Sequence, residues 1–353
     1  SVESTALSSQ NGGMHSGGLV NVVTRSGTNQ FHGSAFEFIR NNVINATNFF
    51  STCKPVAPAT TCSAKDILHQ NQFGGTFGGP IVKDKLFAFA GYQRQHTTQQ
   101  QASTQAHVPT AANLLGDFSV TDGANCTSDK KFHQLVDPLT GAILVGNKYA
   151  TPPTYNPQSL NLLKYLPQID PTVDTLGCGS VSYAIPSIIS DNQFVTRVDW
   201  TINSRHNLYA RYFIDGYQAP AFFSPTNILI TTQSGNIQRV QSFTMGESWA
   251  ISPRTVNTAH LTISRRKNIR GYAANDINAA TIGVNLYQAV PNGLQLTVSN
   301  KFTIGGGTNS VSHFNDNALA FSDDITMLRG KHQLVFGGEW VQNQLNIGNA
   351  YQS

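Results

Sequence analysis

The sequence predicts an all-β fold, in which one antiparallel sheet forms part of a transmembrane β-barrel. The first observation behind this prediction is a set of nine runs in which apolar and polar residues alternate. Their length suits spanning strands, since a tilted β-strand crosses a bilayer in about 9–11 residues. Helical periodicity is weak, and the best candidate is 156–168. The predicted strands are 31–40, 71–82, 85–95, 192–202, 206–217, 240–252, 255–266, 317–328 and 331–342.

The second observation is the order of the connections, which are long and short in strict alternation. In a meander, alternate connections lie at opposite ends of the sheet, so all tight turns share one end. Short periplasmic turns and long extracellular loops are typical of outer-membrane barrels. The short turns are 83–84, 203–205, 253–254 and 329–330, and the long loops are about 41–70, 96–191, 218–239 and 267–316.

The third observation is the composition. Charged residues make up 12% of the 353 residues, about half of the roughly 25% usual in soluble domains. The chain has 20 Phe and 11 Tyr, which is enough apolar surface to argue against disorder. The net charge of +4 forms no basic stripe, so we expect no nucleic-acid partner. The sequence has neither HExxH nor GxSxG, so we expect no enzyme, metal site or cofactor.

The alternation assigns side chains to two faces. In 192–202, for example, Phe194, Val198 and Trp200 oppose Arg197 and Asp199. The apolar side can face lipid and the charged side a polar lumen. The charged residues are either ion pairs that stiffen the wall or the lining of a solute path. The candidates for the lumen are Arg197, Asp199, Arg211, Asp215 and Glu339.

Two acids disagree with this pattern. Asp323 and Glu247 both fall on the apolar side of their strands, where a charge near the bilayer midplane costs a few kcal/mol. A β-bulge at 322–324 would turn Asp323 away from lipid.

The four cysteines lie in the first two long loops and none lies in a predicted strand. An even number of cysteines in exported loops suggests disulfides. The pairs nearest in sequence are Cys53–Cys62 and Cys126–Cys178, and pairing between the two loops stays open. Zinc is the rival interpretation, but the sequence has no CxxC pair.

The start of the chain resembles a known family. The run GGLVNVVTRSGTNQFHGSAFEFIRN, followed by NQFGGTFGGPIVKDKLFAFAGYQ, is similar to the plug-to-barrel junction of TonB-dependent outer-membrane receptors, especially the Oar-like group. Later pieces such as DNQFVTRVDWTINSRHNLYARY and RGKHQLVFGGEW occur in the expected order. The resemblance implies that 1–30 is the C-terminal end of a plug domain and 31–353 the N-terminal part of a barrel. The junction residues would be Gly17, Gly18, Asn21, Thr24, Ser26, Gly27, Thr28 and Asn29.

The resemblance also implies a function. Barrels of this family have about 22 strands, so nine strands would be a piece of a longer protein. The expected activity is import of a large or scarce solute across the outer membrane. Its partners would be outer-membrane lipid, the TonB complex through the missing N-terminal part, and an extracellular solute of unknown class. Loop 96–191 is the candidate for solute capture because of its length.

Two other functions stay open. One is a secreted all-β adhesion or glycan-binding module, in which aromatic residues such as Tyr217, Phe222 and Phe223 stack on sugar. The other is surface signalling or secretion without import.

Overall fold

The computed structural model describes residues 2–3, 19–20, 26–46, 67–100, 104–127, 129–172, 174–306 and 311–350. Nine long strands form one antiparallel sheet in which chain neighbours are also sheet neighbours. They are β1 (His32–Asn41), β2 (Ile67–Val82), β3 (Leu86–Gln100), β4 (Pro186–Asn203), β5 (His206–Ala219), β6 (Gly235–Ser252), β7 (Thr255–Gly271), β8 (Val311–Arg329) and β9 (His332–Ala350).

The sheet is open, with β1 at one edge and β9 at the other. Two α-helices occur among the described residues, α1 (Ala111–Leu114) and α2 (Pro157–Leu163). Asn156 caps α2 by accepting the N–H of Gln158, and Pro157 suits the first turn because its missing N–H would lack a partner there anyway. No helix of the described chain is both long and apolar enough to cross a membrane.

The nine predicted strands are all present, and their turn ends lie within two residues of the prediction. The connections at this end are short, and the backbone takes positive φ angles at Asp84 and Gly330. Register shifts occur next to three of the four turns, at Pro80/Val82, Thr201/Asn203 and Ala250/Ser252. Such bulges increase the local twist and help the chain to reverse.

Among the described residues, a cluster of buried apolar side chains lies in the long loops rather than on the sheet. It contains Ala106, Val108, Leu162, Leu166, Val181, Ile228, Leu229, Ile277, Ile282, Phe302 and Ile304. These residues come from 104–185, 220–234 and 272–306, which we call the loop cap. Two short ribbons shape it: Thr104–His107 pairs with Ser180–Tyr183, and Leu296–Val298 pairs with Phe302–Ile304. The long loops are therefore a folded layer with its own core.

The bulge at 322–324 that would turn Asp323 away from lipid is absent. Pairing of β8 with both neighbours runs through this segment without a register shift. Asp323 stays on the apolar side and accepts a hydrogen bond from Asn257 Nδ2 at 2.5 Å. Glu247 also stays there, and its carboxylate lies 2.9 Å from His206 Nδ1. In both cases a polar partner on the neighbouring strand, and not a change of register, offsets the cost of an acidic side chain on the apolar side.

Candidate functional site: the polar face, the junction and the loop cap

The strand register places all five lumen candidates on one side of the sheet, which we call the polar face. Asp199 lies in a row that runs across six strands and ends at Glu339; its members are Asp199, Tyr209, Gly246, His260, Ser322 and Glu339. Arg197 and Arg211 lie directly opposite each other in the next row. Asp215 is further along β5 on the same face.

Charge pairing on this face occurs both along one strand and between strands, since Arg266 on β7 also pairs with Asp316 on β8 at 3.3 Å. The Arg197 guanidinium donates to both oxygens of Asp199, from Nη2 to Oδ1 at 2.7 Å and from Nε to Oδ2 at 3.0 Å, a bidentate contact. Its Cζ also lies 4.3 Å from the centre of the Tyr209 ring. Arg211 does not join this pair, because it faces Arg197 directly; it donates instead to Thr244 Oγ1 at 3.3 Å.

A pocket of about 320 Å³ lies on the polar face near the short turns. Arg197, Asp199, Tyr209 and His260 line one part of it, and residues 26–27 line another. The segment that precedes β1 therefore lies against the polar face and not against the apolar one.

The segment before β1 is held against the polar face by the close packing of Gly27 and by the side-chain amide of Asn29. Gly27 is buried, and a Cβ at this position would lie 2.6 Å from Ala88 O and 2.9 Å from Gly79 O. Asn29 accepts the N–H of Asp84 at 2.8 Å and donates to the Asp84 carboxylate at 2.5 Å. Together they attach the segment before β1 to the turn between β2 and β3.

The other junction candidates are less informative. Thr28 makes a local bond to Gln30 O at 3.0 Å, and Ser26 lines the pocket. Gly17, Gly18, Asn21 and Thr24 lie outside the described residues, while Leu19–Val20 pairs with Val2–Glu3.

Asn29→Ala is expected to release the segment from the turn. The substitution removes both bonds to Asp84, worth about 1–2 kcal/mol together at this exposed site. Amide hydrogen exchange of the 83–86 turn in the full-length protein should rise roughly five- to thirtyfold, because the Asp84 N–H loses its acceptor. Thr28→Ala is the matched control and should leave the turn unchanged. Equal exchange in both variants would show that Asn29 does not hold this turn.

Comparison with known proteins identifies the family. The sequence family described as "Outer membrane beta barrel domain" matches residues 23–353. The chain belongs to this family. As a member of this family of outer-membrane barrel domains, the chain is located in the outer membrane. In the described residues the strands form an open nine-stranded sheet.

The sequence and the structure were also compared with curated proteins and with solved structures. The chain is 33% identical over 132 residues to the "TonB-dependent transporter Oar" of Myxococcus xanthus. That match covers 37% of this chain and only 11% of the length of the relative. The toluene transporter TbuX of Ralstonia pickettii aligns with 97% of this chain and 84% of its own, at 9% identity and a TM-score of 0.23, which is too low to support an argument.

The loop cap is held together by a disulfide and by buried polar contacts. Cys126 and Cys178 form a disulfide across 52 residues, whereas Cys53 and Cys62 lie outside the described residues. The Asp174 carboxylate accepts the N–H of Cys178 at 2.9 Å and that of Gly179 at 2.7 Å. Gly179 has a φ of +75°, and a Cβ there would collide with Val108 O. These contacts close the base of loop 96–191.

A second acidic residue of the loop cap, Asp276, is buried where its charged form is destabilised. Asp276 is only 9% exposed, and burial raises its pKa to about 6, against the opposing hydrogen bond from the Ile277 N–H. Because the folded pKa lies above the ordinary value of 3.8, folding takes up a proton between these values. The cap therefore loses stability as the pH rises from about 4 to 6, and the penalty stays constant above that range.

Asp276→Asn should stabilise the cap at pH 7.5 by about 1–2 kcal/mol, because the amide keeps the acceptor for Ile277 and removes the buried charge. At pH 4 the gain should disappear. Calorimetry of the full-length protein at both pH values measures it. Asp137→Asn is the control, since Asp137 caps an exposed turn by accepting the N–H of Leu139 at 2.8 Å. A gain that is the same at both pH values would contradict the explanation.

Proposed function

We propose that this chain is part of a TonB-dependent outer-membrane receptor that imports a large or scarce extracellular solute. In this proposal, residues 1–30 are the end of a plug domain and 31–353 the first strands of a barrel that continues beyond the nine described here. The polar face then lines the lumen and the loop cap faces the outside. The chain itself carries no enzymatic activity.

The observation that carries the proposal is the position of the junction. The segment before β1 lies against the polar face, with Gly27 between two backbone carbonyls and Asn29 bonded to the first short turn. A plug inside a barrel has to leave it on the lumen side and near the periplasmic turns. The similarity to a protein named a TonB-dependent transporter supports the same interpretation.

The secreted glycan-binding alternative receives less support from its aromatic residues. Phe223 packs against the core of the loop cap, and Tyr217 lies in β5 within the sheet. These side chains do not form an exposed row on which a sugar could stack. Membership in an outer-membrane family also disfavours a secreted module.

Import can be tested without knowing the solute. Three strains of the native host are grown on complex medium: wild type, a deletion of this gene, and a TonB-deficient strain. Mass spectrometry of the spent media then identifies compounds that only the wild type removes. The proposal predicts compounds left behind by both mutant strains, and restored uptake when the gene is returned to the deletion strain. A deletion strain that depletes the medium as the wild type does would contradict import.

A further inference from the structure

A second pocket lies in the loop cap, far along the chain from the junction. It has a volume of about 310 Å³, which is at the lower end of the range for small-molecule sites. Its walls are mostly apolar, and the side chains that form them are Val108, Pro109, Phe118, Leu135, Val298 and Phe302. Loop 96–191 supplies one wall and loop 267–316 the other, so the pocket depends on the contact between two loops.

The walls of this cap pocket are fixed before any ligand arrives. The two loops are joined by a bond from the His107 N–H to Lys301 O at 2.9 Å. Asn113, which is 5% exposed, donates to Asp117 O and to Thr121 Oγ1, both at 3.0 Å. The Cys126–Cys178 disulfide lies beside the pocket and restrains the same loop. A rigid site loses little entropy when it binds.

The polar groups of the cap pocket leave it without net charge but with a free donor. Lys301 Nζ donates to Thr121 O at 2.6 Å and lies 3.2 Å from the Asp122 carboxylate. Among the described residues these are its only acceptors, so one of its three N–H groups remains available. Burial, and next the nearby Lys301, lower the pKa of His107, which keeps its imidazole neutral at pH 7.

We propose that the cap pocket binds a small uncharged molecule that carries an aromatic or branched aliphatic group and one oxygen acceptor. The apolar group packs against Phe118 and Phe302, and the oxygen accepts the remaining N–H of Lys301. A carboxylate is disfavoured because Asp122 already neutralises Lys301 and would repel a second acid. The role of this site as a point of solute capture rests on the proposed import function, whereas the binding itself does not.

Binding is tested with 4-fluorophenol as the probe, and 4-fluorobenzoate as an anionic probe that also carries a fluorinated ring. Fluorine NMR line broadening is recorded with the full-length protein in detergent. We expect 4-fluorophenol to bind at least tenfold more tightly than 4-fluorobenzoate. Equal binding of the two probes, or no binding of the phenol, would overturn the proposal, whatever the outcome of the uptake experiment.

Two variants locate the binding. Val298 and Phe302 are paired across the short ribbon and both line the pocket, so Val298→Trp should fill it and weaken 4-fluorophenol binding at least tenfold. Thr297, whose partner is Thr303, is an exposed neighbour that does not line the pocket, and Thr297→Trp should bind like the wild type. Unchanged binding in a folded Val298→Trp protein would place the site elsewhere. If this variant fails to fold, the preference of the wild type for the phenol still decides the proposal.

Discussion

Replacing both Cys126 and Cys178 by Ser is expected to loosen the base of loop 96–191. The disulfide closes a segment with a sequence separation of 52 residues, for which chain entropy predicts up to about 4 kcal/mol. The ribbon formed by Thr104–His107 and Ser180–Tyr183 flanks the closed segment, so the disulfide shortens the loop that the ribbon has to close. We expect its amide hydrogen exchange to rise at least tenfold, because opening this ribbon then becomes much easier.

The result is specific if the sheet stays protected. Neither β5 nor β6 flanks loop 96–191. The amide hydrogen exchange of these two strands should therefore be unchanged in the Cys126→Ser/Cys178→Ser variant. Exchange of the ribbon at the wild-type rate would show that the buried contacts of Asp174 and the cap core hold the loop without the disulfide.

Leu229→Ala should open the loop cap from its centre. Leu229 is fully buried in the short 3-10 helix Ile228–Thr232, which is inserted between the two largest loops. The helix is bonded to both loops, since Ile228 N–H donates to Tyr165 O at 2.9 Å and Gly305 N–H donates to Thr231 Oγ1 at 3.0 Å. Truncating a buried leucine costs about 2–5 kcal/mol.

Proteinase K added to intact cells measures this opening, because cleavage follows the population of the open form when opening is fast. A loss of 2 kcal/mol corresponds to roughly thirtyfold faster cleavage within the cap. Leu286→Ala is the matched control, as Leu286 lies in the same cap and is 56% exposed. Equal cleavage of the two variants would mean that the buried cluster does not stabilise the loops.

The strands were predictable because the sheet has one apolar and one polar face, which impose a two-residue period. The turn ends of the strands were predicted well, because residues such as Asp84 and Gly330 adopt the positive φ angles that tight turns need. The prediction failed at the loop ends, where β4 begins six residues earlier than predicted and β9 ends eight residues later. At these ends polar residues occur on both sides of a strand, so the alternation disappears while the backbone pairing continues.

The loop cap was not predictable beyond its cysteines and α2. Its structure depends on buried side chains that hydrogen-bond to backbone groups outside helices and strands. Such contacts leave no periodic pattern in the sequence. Asn147 is an example: it is fully buried, accepts the N–H of Leu135 at 2.8 Å and donates to His133 O at 2.6 Å. The hydrogen bonds between Asn29 and Asp84 were not predicted for a similar reason, since 55 residues separate the two residues in sequence. The cap pocket needs two loops that only the fold brings together.

Site-directed labelling of cysteines in cells tests the arrangement of the sheet most directly. Leu139 is 93% exposed in the loop cap, and Ser204 is exposed in the short turn between β4 and β5. A maleimide that cannot cross membranes is applied to cells carrying Leu139→Cys or Ser204→Cys, with the wild type as background. We expect labelling of Leu139→Cys in intact cells and of Ser204→Cys only after the outer membrane is permeabilised. Labelling of Ser204→Cys in intact cells would contradict a sheet that spans the outer membrane with its short turns in the periplasm.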